Sequence, residues 1–260
     1  MRIVFLGCTK FSEALLLSLI NIKNIKIVGV FSIPKQFNIS YSEKKVENTN
    51  YADLSIYANQ FNIPHYIVDS VEGMRINDYQ KEIALLKPDV ILVMGWYYMV
   101  PQSIRKIATY GAWGIHASLL PNYAGGAPLV WAMINGETET GVTLFRLDDG
   151  VDDGDIIEQQ TIQINNKDTI KEVYEKATVA SKVILKKVFD PTYQLQFKPQ
   201  DKSKLRIYPQ RKPEDGIIDW TKSTKEIKDF IRAQTKPYPG AYTIINGKKV
   251  TIWDADIIDL

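Results

Sequence analysis

Short runs that are apolar at every position, several of them closed by glycine, alternate along this chain with stretches of helical periodicity, and that alternation constrains the fold more than any other feature. "RIVFLG" (2–7) is followed by "KFSEALLLSLI" (10–20), with apolar residues at helical spacing, and then by a second run, "IKIVGVFS" (25–32). A strand with one wet face alternates polar and apolar residues. Runs apolar throughout belong to strands covered on both faces, the condition of a parallel sheet between layers of helices. The order continues with a helix in "ADLSIYANQF" (52–61), a strand in "PHYIV" (64–68), a helix in "INDYQKEIALLK" (76–87) and strands in "PDVILVMG" (88–95) and "GAWGIHA" (111–117). A helix in "PLVWAMING" (128–136), two strands around the acidic turn "DGVDDGD" and a long helix (169–188) complete the pattern. The expected class is α/β, a Rossmann-like open, mainly parallel sheet.

After residue 189 the pattern breaks. "FDPTYQLQFKPQDKSK" has two prolines and little periodicity, and reads as a linker. Beyond it come a helix in "TKEIKDFIRAQ" and a hairpin around Asn246-Gly247. The expected division is a first domain, 1–203, and a small C-terminal α+β subdomain, 204–260, too short to fold alone and so docked on the first. Apolar residues make up 45% of the 260, enough for a real core, and the net charge of +2 supplies no field that would mark a nucleic-acid or membrane binder. No apolar run approaches the roughly 18 residues of a membrane span. The single cysteine, Cys8, excludes an internal disulfide and suits a reducing compartment, so a cytoplasmic location is expected.

Where chemistry could sit is narrower. The first loop, "GCTKF", has one glycine, which falls short of both the dinucleotide fingerprint and the Walker loop, and leaves Thr9 and Lys10 as candidate substrate contacts. His116 stands at the expected carboxyl end of a central strand, where open α/β sheets bind ligands, and opens the Gly/Pro-shaped loop "SLLPNYAGGAP". The turn "LDDGVDDGDI" carries five aspartates but lacks the closing glutamate of a calcium loop. It is read either as a solvated acidic turn or as the source of a carboxylate, from a second βα-type turn, that supports His116 as an acid/base pair. No metal is expected.

The stretch "HASLLPNYAGGAPLVWAMINGETETGVTLFRLDDGVDDGDI" (116–156) resembles the signature of the formyltransferases that use N10-formyltetrahydrofolate: H-x-S-L-L-P, then G-x-x-P, G-E-x-x-T-G-V-T and D-x-G-x-D-x-G-D-I. "PDVILVMGWYYMVP" (88–101) and the opening residues are similar to the same family, and "IRAQTKPYPGAYT" with "VTIWDA" looks like the tail of its sugar-modifying members. The resemblance implies the formyltransferase fold, with N10-formyltetrahydrofolate as co-substrate. It assigns His116 as the catalytic histidine and Asp152 as the catalytic aspartate. It assigns Trp96, Tyr98, Met99 and Val100 in one turn, and Asp148, Val151 and Asp152 in another, to holding the pterin.

The family's third catalytic residue is an asparagine two before the histidine, and here that position is Gly114. Residues 114 and 116 of one strand share a face, so the two side chains would act on one atom. The family chemistry implies attack of an uncharged amine on the formyl carbon, with the asparagine and the histidine stabilising the developing oxyanion. Loss of one such donor typically costs on the order of 10²–10³ in rate. Three accounts stay open: a variant altered to trap substrates, a natural member using water or another donor, and a member whose activity has decayed. Asn122 is the nearest replacement in sequence, and the glycine also suits close backbone packing.

Among the family's acceptors, a nucleotide-linked amino sugar fits best, most simply a dTDP- or UDP-linked 4-amino-4,6-dideoxy sugar of a surface polysaccharide. The tail is short and mixed in charge for a tRNA-acting member, and the first loop is poor in glycine for one acting on a ribonucleotide. Tyr41, Lys44 and Lys45, in the polar loop "FNISYSEKKVENTNY", are candidate contacts to the pyrophosphate and base. Trp220, Tyr238 and Trp253 cover the sugar or anchor the tail, which also offers a surface for a homodimer. The rival readings are an inactive folate- or sugar-nucleotide-binding member and a methionyl-tRNA formyltransferase-like enzyme.

Overall fold

A computed structural model describes residues 1–38, 45–69 and 74–258. The chain opens with β1 (Arg2–Leu6), α1 (Lys10–Ile20) and β2 (Lys26–Ser32), then a short pair, β3 (Gln36–Phe37) and β4 (Val46–Glu47), followed by α2 (Ser55–Gln60) and β5 (His65–Ile67). Next come α3 (Gln80–Leu85), β6 (Val90–Val93), α4 (Gln102–Arg105), β7 (Ala112–His116), β8 (Ala124–Gly125) and α5 (Pro128–Ile134). The first part closes with β9 (Glu139–Arg146), β10 (Ile156–Gln163) and α6 (Ile170–Val188), and the remainder holds β11 (Ile207–Tyr208), α7 (Thr224–Arg232), β12 (Ala241–Ile245) and β13 (Lys248–Ile252).

Seven strands form the central sheet in the order β10-β9-β7-β6-β1-β2-β5. The five from β7 to β5 run parallel, and β9 and β10 are antiparallel additions at the other end. The apolar runs earn their burial: Ile3, Val4, Phe5, Leu6, Val90, Ile91 and Leu92 are fully buried, with helices over both faces. Helix α1 starts in a capping box of Thr9 and Ser12, and α6 in one of Thr169 and Glu172, so each helix satisfies its orphan N–H groups locally. Along α6, Ile170, Val173, Ala177, Ala180 and Ile184 recur at helical spacing and are buried with Trp113 in the larger core. The expected helix at 76–87 begins instead as a 3₁₀ turn over Ile76–Tyr79.

One detail of the expected topology is corrected. The acidic turn does not belong to a βα unit but joins the antiparallel strands β9 and β10. Because β9 pairs with β7 in the register Trp113↔Arg146 and His116↔Thr143, the turn leaves β9 at the amino end of β7, where Leu147 N–H donates to Ala112 O. To meet His116 it folds back along that face.

The C-terminal part is tied down by a buried pair on α7. Arg232 Nε donates to Asp229 Oδ1 at 2.7 Å, and its Nη1 donates to the carbonyls of Asn165 (3.1 Å) and Asp168 (2.8 Å), in the loop before α6. Asn246 (φ 49°) and Gly247 (φ 73°) give the hairpin turn its left-handed pair, as the dipeptide predicts. Among the described residues no helix is long and apolar enough to cross a membrane.

Truncating Arg232 to Ala strands Asp229, which is 5% exposed and whose other ion-pair partner among the described residues is Lys225; a loss of about 3 kcal/mol is expected in denaturant unfolding. A pH effect is expected at the sheet edge. His65 Nε2 lies 2.7 Å from the buried Ser32 Oγ, and burial holds the imidazole below its ordinary value of 6.5, outweighing the pull of Asp53. The unfolded chain therefore binds the proton more readily than the folded one, so this stabilisation is complete above about pH 6.5 and lost as pH falls below it. Denaturant midpoints measured between pH 7.5 and 5 should decline, and His65→Gln should flatten that part of the decline.

Candidate active site

The carboxyl ends of β1 and β6 are pressed together. Gly95 (φ 65°) packs so closely on the first loop that a Cβ there would lie 2.3 Å from Thr9 Oγ1, and Ser12 Oγ donates to Met94 O. The turn that leaves Gly95 holds the residues assigned to the pterin. Val100 is buried, Tyr98 OH donates to Asn38 O at 3.0 Å, and Met99 is 81% exposed. Trp96 is half-buried, and its Nε1 is enclosed with no hydrogen-bond partner among the described residues. Thr9 spends its hydroxyl on the α1 cap, whereas Lys10 and Lys45 are exposed. Tyr41 and Lys44 lie outside the described residues. Burial pushes the Cys8 thiol up to about 12, which removes it as a nucleophile at neutral pH.

His116 ends β7 and is 8% exposed. Its Nε2 donates to Tyr123 O at 2.7 Å, and its Nδ1 stands 3.3 Å from Asp152 Oδ2. The same carboxylate oxygen accepts the Gly125 N–H at 2.8 Å. Three segments thus converge on two side chains. A neutral imidazole has one N–H, which Tyr123 O takes, so Nδ1 is the ring atom left to accept a proton beside a carboxylate.

Four of the five aspartates in the acidic turn have a partner of their own, and Asp148 shares the one of Asp149. Asp149 pairs with Arg105, which also lies 3.9 Å from Asp148; Asp153 pairs with Lys202 at 2.9 Å and Asp155 with Arg146 at 2.7 Å. Asp152 alone faces His116. Among the described residues no group of three or more His, Cys, Asp or Glu side chains is placed to hold a metal ion. Gly154 cannot be replaced without moving the turn, since a Cβ there would lie 1.8 Å from Arg146 O.

Gly114 is buried on the face it shares with His116, and the space its side chain leaves is taken by Leu147. A Cβ at 114 would meet Leu147 Cδ2 at 2.9 Å and Phe145 Cε1 at 3.5 Å. The close approach is therefore by a flexible side-chain end, not by backbone. Asn122 is exposed, and its carbonyl accepts from Ser118 Oγ at 2.6 Å.

Several contributors were not visible in the sequence. Gly125 (φ 90°) and Gly126 admit the segment just beyond the linker edge-on: a Cβ on the first would lie 2.5 Å from Tyr208 O, and one on the second 2.5 Å from Gln210 Cα. The strand pairing Ile207↔Ala124 and Tyr208↔Gly125 follows, with the Tyr123 and Tyr208 rings stacked 4.7 Å apart. Gln200 reaches the acidic turn from the same linker: its Nε2 donates to Asp152 O at 2.8 Å and to Gly154 O at 2.7 Å. The paired glycines were the one available signal; nothing about the isolated glutamine set it apart.

The formyl transferase family matches residues 1–189, and its C-terminal domain matches residues 211–260. The chain is 38% identical over 197 residues to the bifunctional polymyxin resistance protein ArnA of Wigglesworthia glossinidia brevipalpis, covering 75% of this chain but 30% of that protein, so it spans less than a third of the relative's length. A sugar N-formyltransferase from a Shewanella species shares the fold with a TM-score of 0.69 at 17% identity, over 100% of this chain and 99% of that one. An N-formyltransferase from Helicobacter canadensis, solved with folinic acid and dTDP-3-aminofucose, has a TM-score of 0.67 at 21% identity, over 96% and 86% of the two chains. With a sheet, a signature and a tail that all correspond, the chain belongs to the formyl transferase family.

Proposed function

We propose that this formyltransferase moves a formyl group from N10-formyltetrahydrofolate to the amino group of a nucleotide-linked amino sugar, of the dTDP- or UDP-linked 4-amino-4,6-dideoxy kind. The observation that carries the reading is the His116–Asp152 pair, with Nδ1 left to accept a proton and the carboxylate 3.3 Å away to stabilise the charge that results. An attacking amine must lose a proton, and an imidazole whose tautomer is fixed by Tyr123 O is suited to take it. His116 is assigned as acid/base and Asp152 as its support.

The folate supplies the activated one-carbon group. Residues present on this chain fit its pterin: Trp96, Tyr98, Val93, Val100, Ala112 and Leu147 form one apolar cluster beside Gly114, and the enclosed Trp96 Nε1 is a donor awaiting an acceptor. Trp96, Tyr98, Met99, Val100, Asp148, Val151 and Asp152 are assigned to this role. The sugar-nucleotide acceptor is supported by the Shewanella protein, a sugar N-formyltransferase, and by the Helicobacter canadensis complex. Lys10 is the candidate phosphate contact in the first loop, because Thr9 is committed to the helix cap. Residues 1–203 are taken as the catalytic domain and 204–260 as the subdomain.

The test is formyl transfer to a panel of dTDP- and UDP-linked amino sugars by the chain, by Gly114→Asn and by His116→Ala. One acceptor should be turned over, and His116→Ala should lower its kcat by about 10²–10⁴-fold. Gly114→Asn, with Leu147 turning aside, should raise kcat by about 10². Formylation of methionyl-tRNA with no turnover of any sugar nucleotide would overturn the assignment.

A further inference from the structure

Gln200 lies in the stretch between the two segments that match the family, after residue 189 and before residue 211. We infer that it is a positioning residue for the transfer reaction, holding Asp152 against His116 through the backbone of the acidic turn. The inference rests on Asp152 being the partner of His116.

Asp152 has φ 51°, a left-handed conformation that costs a non-glycine residue on the order of 1 kcal/mol and persists only where neighbours enforce it. The enforcing group is the Gln200 amide. Its two N–H bonds go to the carbonyls of Asp152 and Gly154, at 2.8 and 2.7 Å, and the residue is buried at 8% exposure. The glutamine is itself held. Two residues earlier, Lys198 and Ile156 exchange both backbone hydrogen bonds at 2.8 Å, so the amide is delivered from a fixed strand-like segment. At its other clamp point the turn runs so close to Arg146 O that only a glycine, Gly154, fits.

Asp152 is thus gripped twice, at its carbonyl by Gln200 and at its carboxylate by Gly125 N–H. Both grips depend on neighbouring stretches of chain, because residues 207 and 208, just beyond the linker that carries Gln200, pair with 124 and 125. Ion pairs of Asp153 and Asp155 steady the rim of the turn, but Gln200 is the side chain that bonds the backbone of Asp152 itself.

The experiment compares the full chain with Gln200→Glu, which sets a carboxylate oxygen against two carbonyl oxygens, and with Gln200→Ala. The chain has two histidines, so the imidazole region of a ¹⁵N spectrum holds two ring systems, and no substrate is needed to read it. The His116 ring signals should move in both variants while those of His65 stay. With N10-formyltetrahydrofolate and the acceptor identified above, kcat should fall about 10- to 100-fold, while the Kd for folinic acid changes less than about 3-fold, as expected for a misplaced catalytic pair and not a lost binding site. Unchanged His116 signals with unchanged kcat, or a fall in rate matched by loss of the folded fraction, would overturn the inference. If Gln200→Glu does not fold, Gln200→Ala decides, since it leaves two carbonyls to water and introduces no charge. If the unaltered chain turns over no acceptor, the functional reading fails while the ring signals still judge the clamp.

Discussion

The antiparallel docking of β9 on β7 is the constraint on which the site depends. A parallel strand at that place would have delivered its following turn to the carboxyl end of β7, directly over His116. The antiparallel one delivers it to the wrong end, beside Trp113, and the turn must travel back along the face of the strand. The return path places Leu147 in the space beside Gly114, draws Arg105 and Arg146 onto the flanking aspartates, and brings Asp152 to His116 in a left-handed backbone state. A path of that kind is held by many polar contacts at once, because no regular secondary structure satisfies its backbone.

Close backbone approach is the second theme. Where residues 207–210 cross the loop after His116, two successive glycines let main chain meet main chain, and the aromatic pair Tyr123 and Tyr208 closes over the crossing. The loop that shapes one wall of the site is therefore shaped in turn by residues far along the chain, a tertiary arrangement that local propensity does not encode.

Much of the fold was legible because its strands are covered on both faces and its helices are capped locally. The apolar runs predicted β1, β2, β6 and β7 to within a residue or two, and Lys10–Ile20 emerged as a helix with the predicted bounds. His116 was legible from its place at a strand end, and the motif resemblance supplied Asp152, which the structure brings beside it. The path of the acidic turn was not legible: its place between two strands was read from the sequence, but a run of aspartates and glycines does not say that the turn folds back along β7 to His116. Gln200 was hidden for a similar reason: aperiodic, proline-bearing sequence looks like slack, whereas here it is ordered by partners on another segment. The candidate contacts in the first loop divided once Thr9 was seen to cap α1, a role that leaves Lys10 free to face solvent.

The late position of the linker bears on how the protein comes into being. His116, the glycine pair and the acidic turn all precede α6 in the chain, so a nascent polypeptide can form most of the sheet well before residues 198–208 have been made. Until that stretch arrives, the turn lacks the amide that fixes its backbone and the loop lacks the strand that lies against it. The site is thus completed by chain that follows the last strand of the central sheet, whatever the order in which the sheet itself closes.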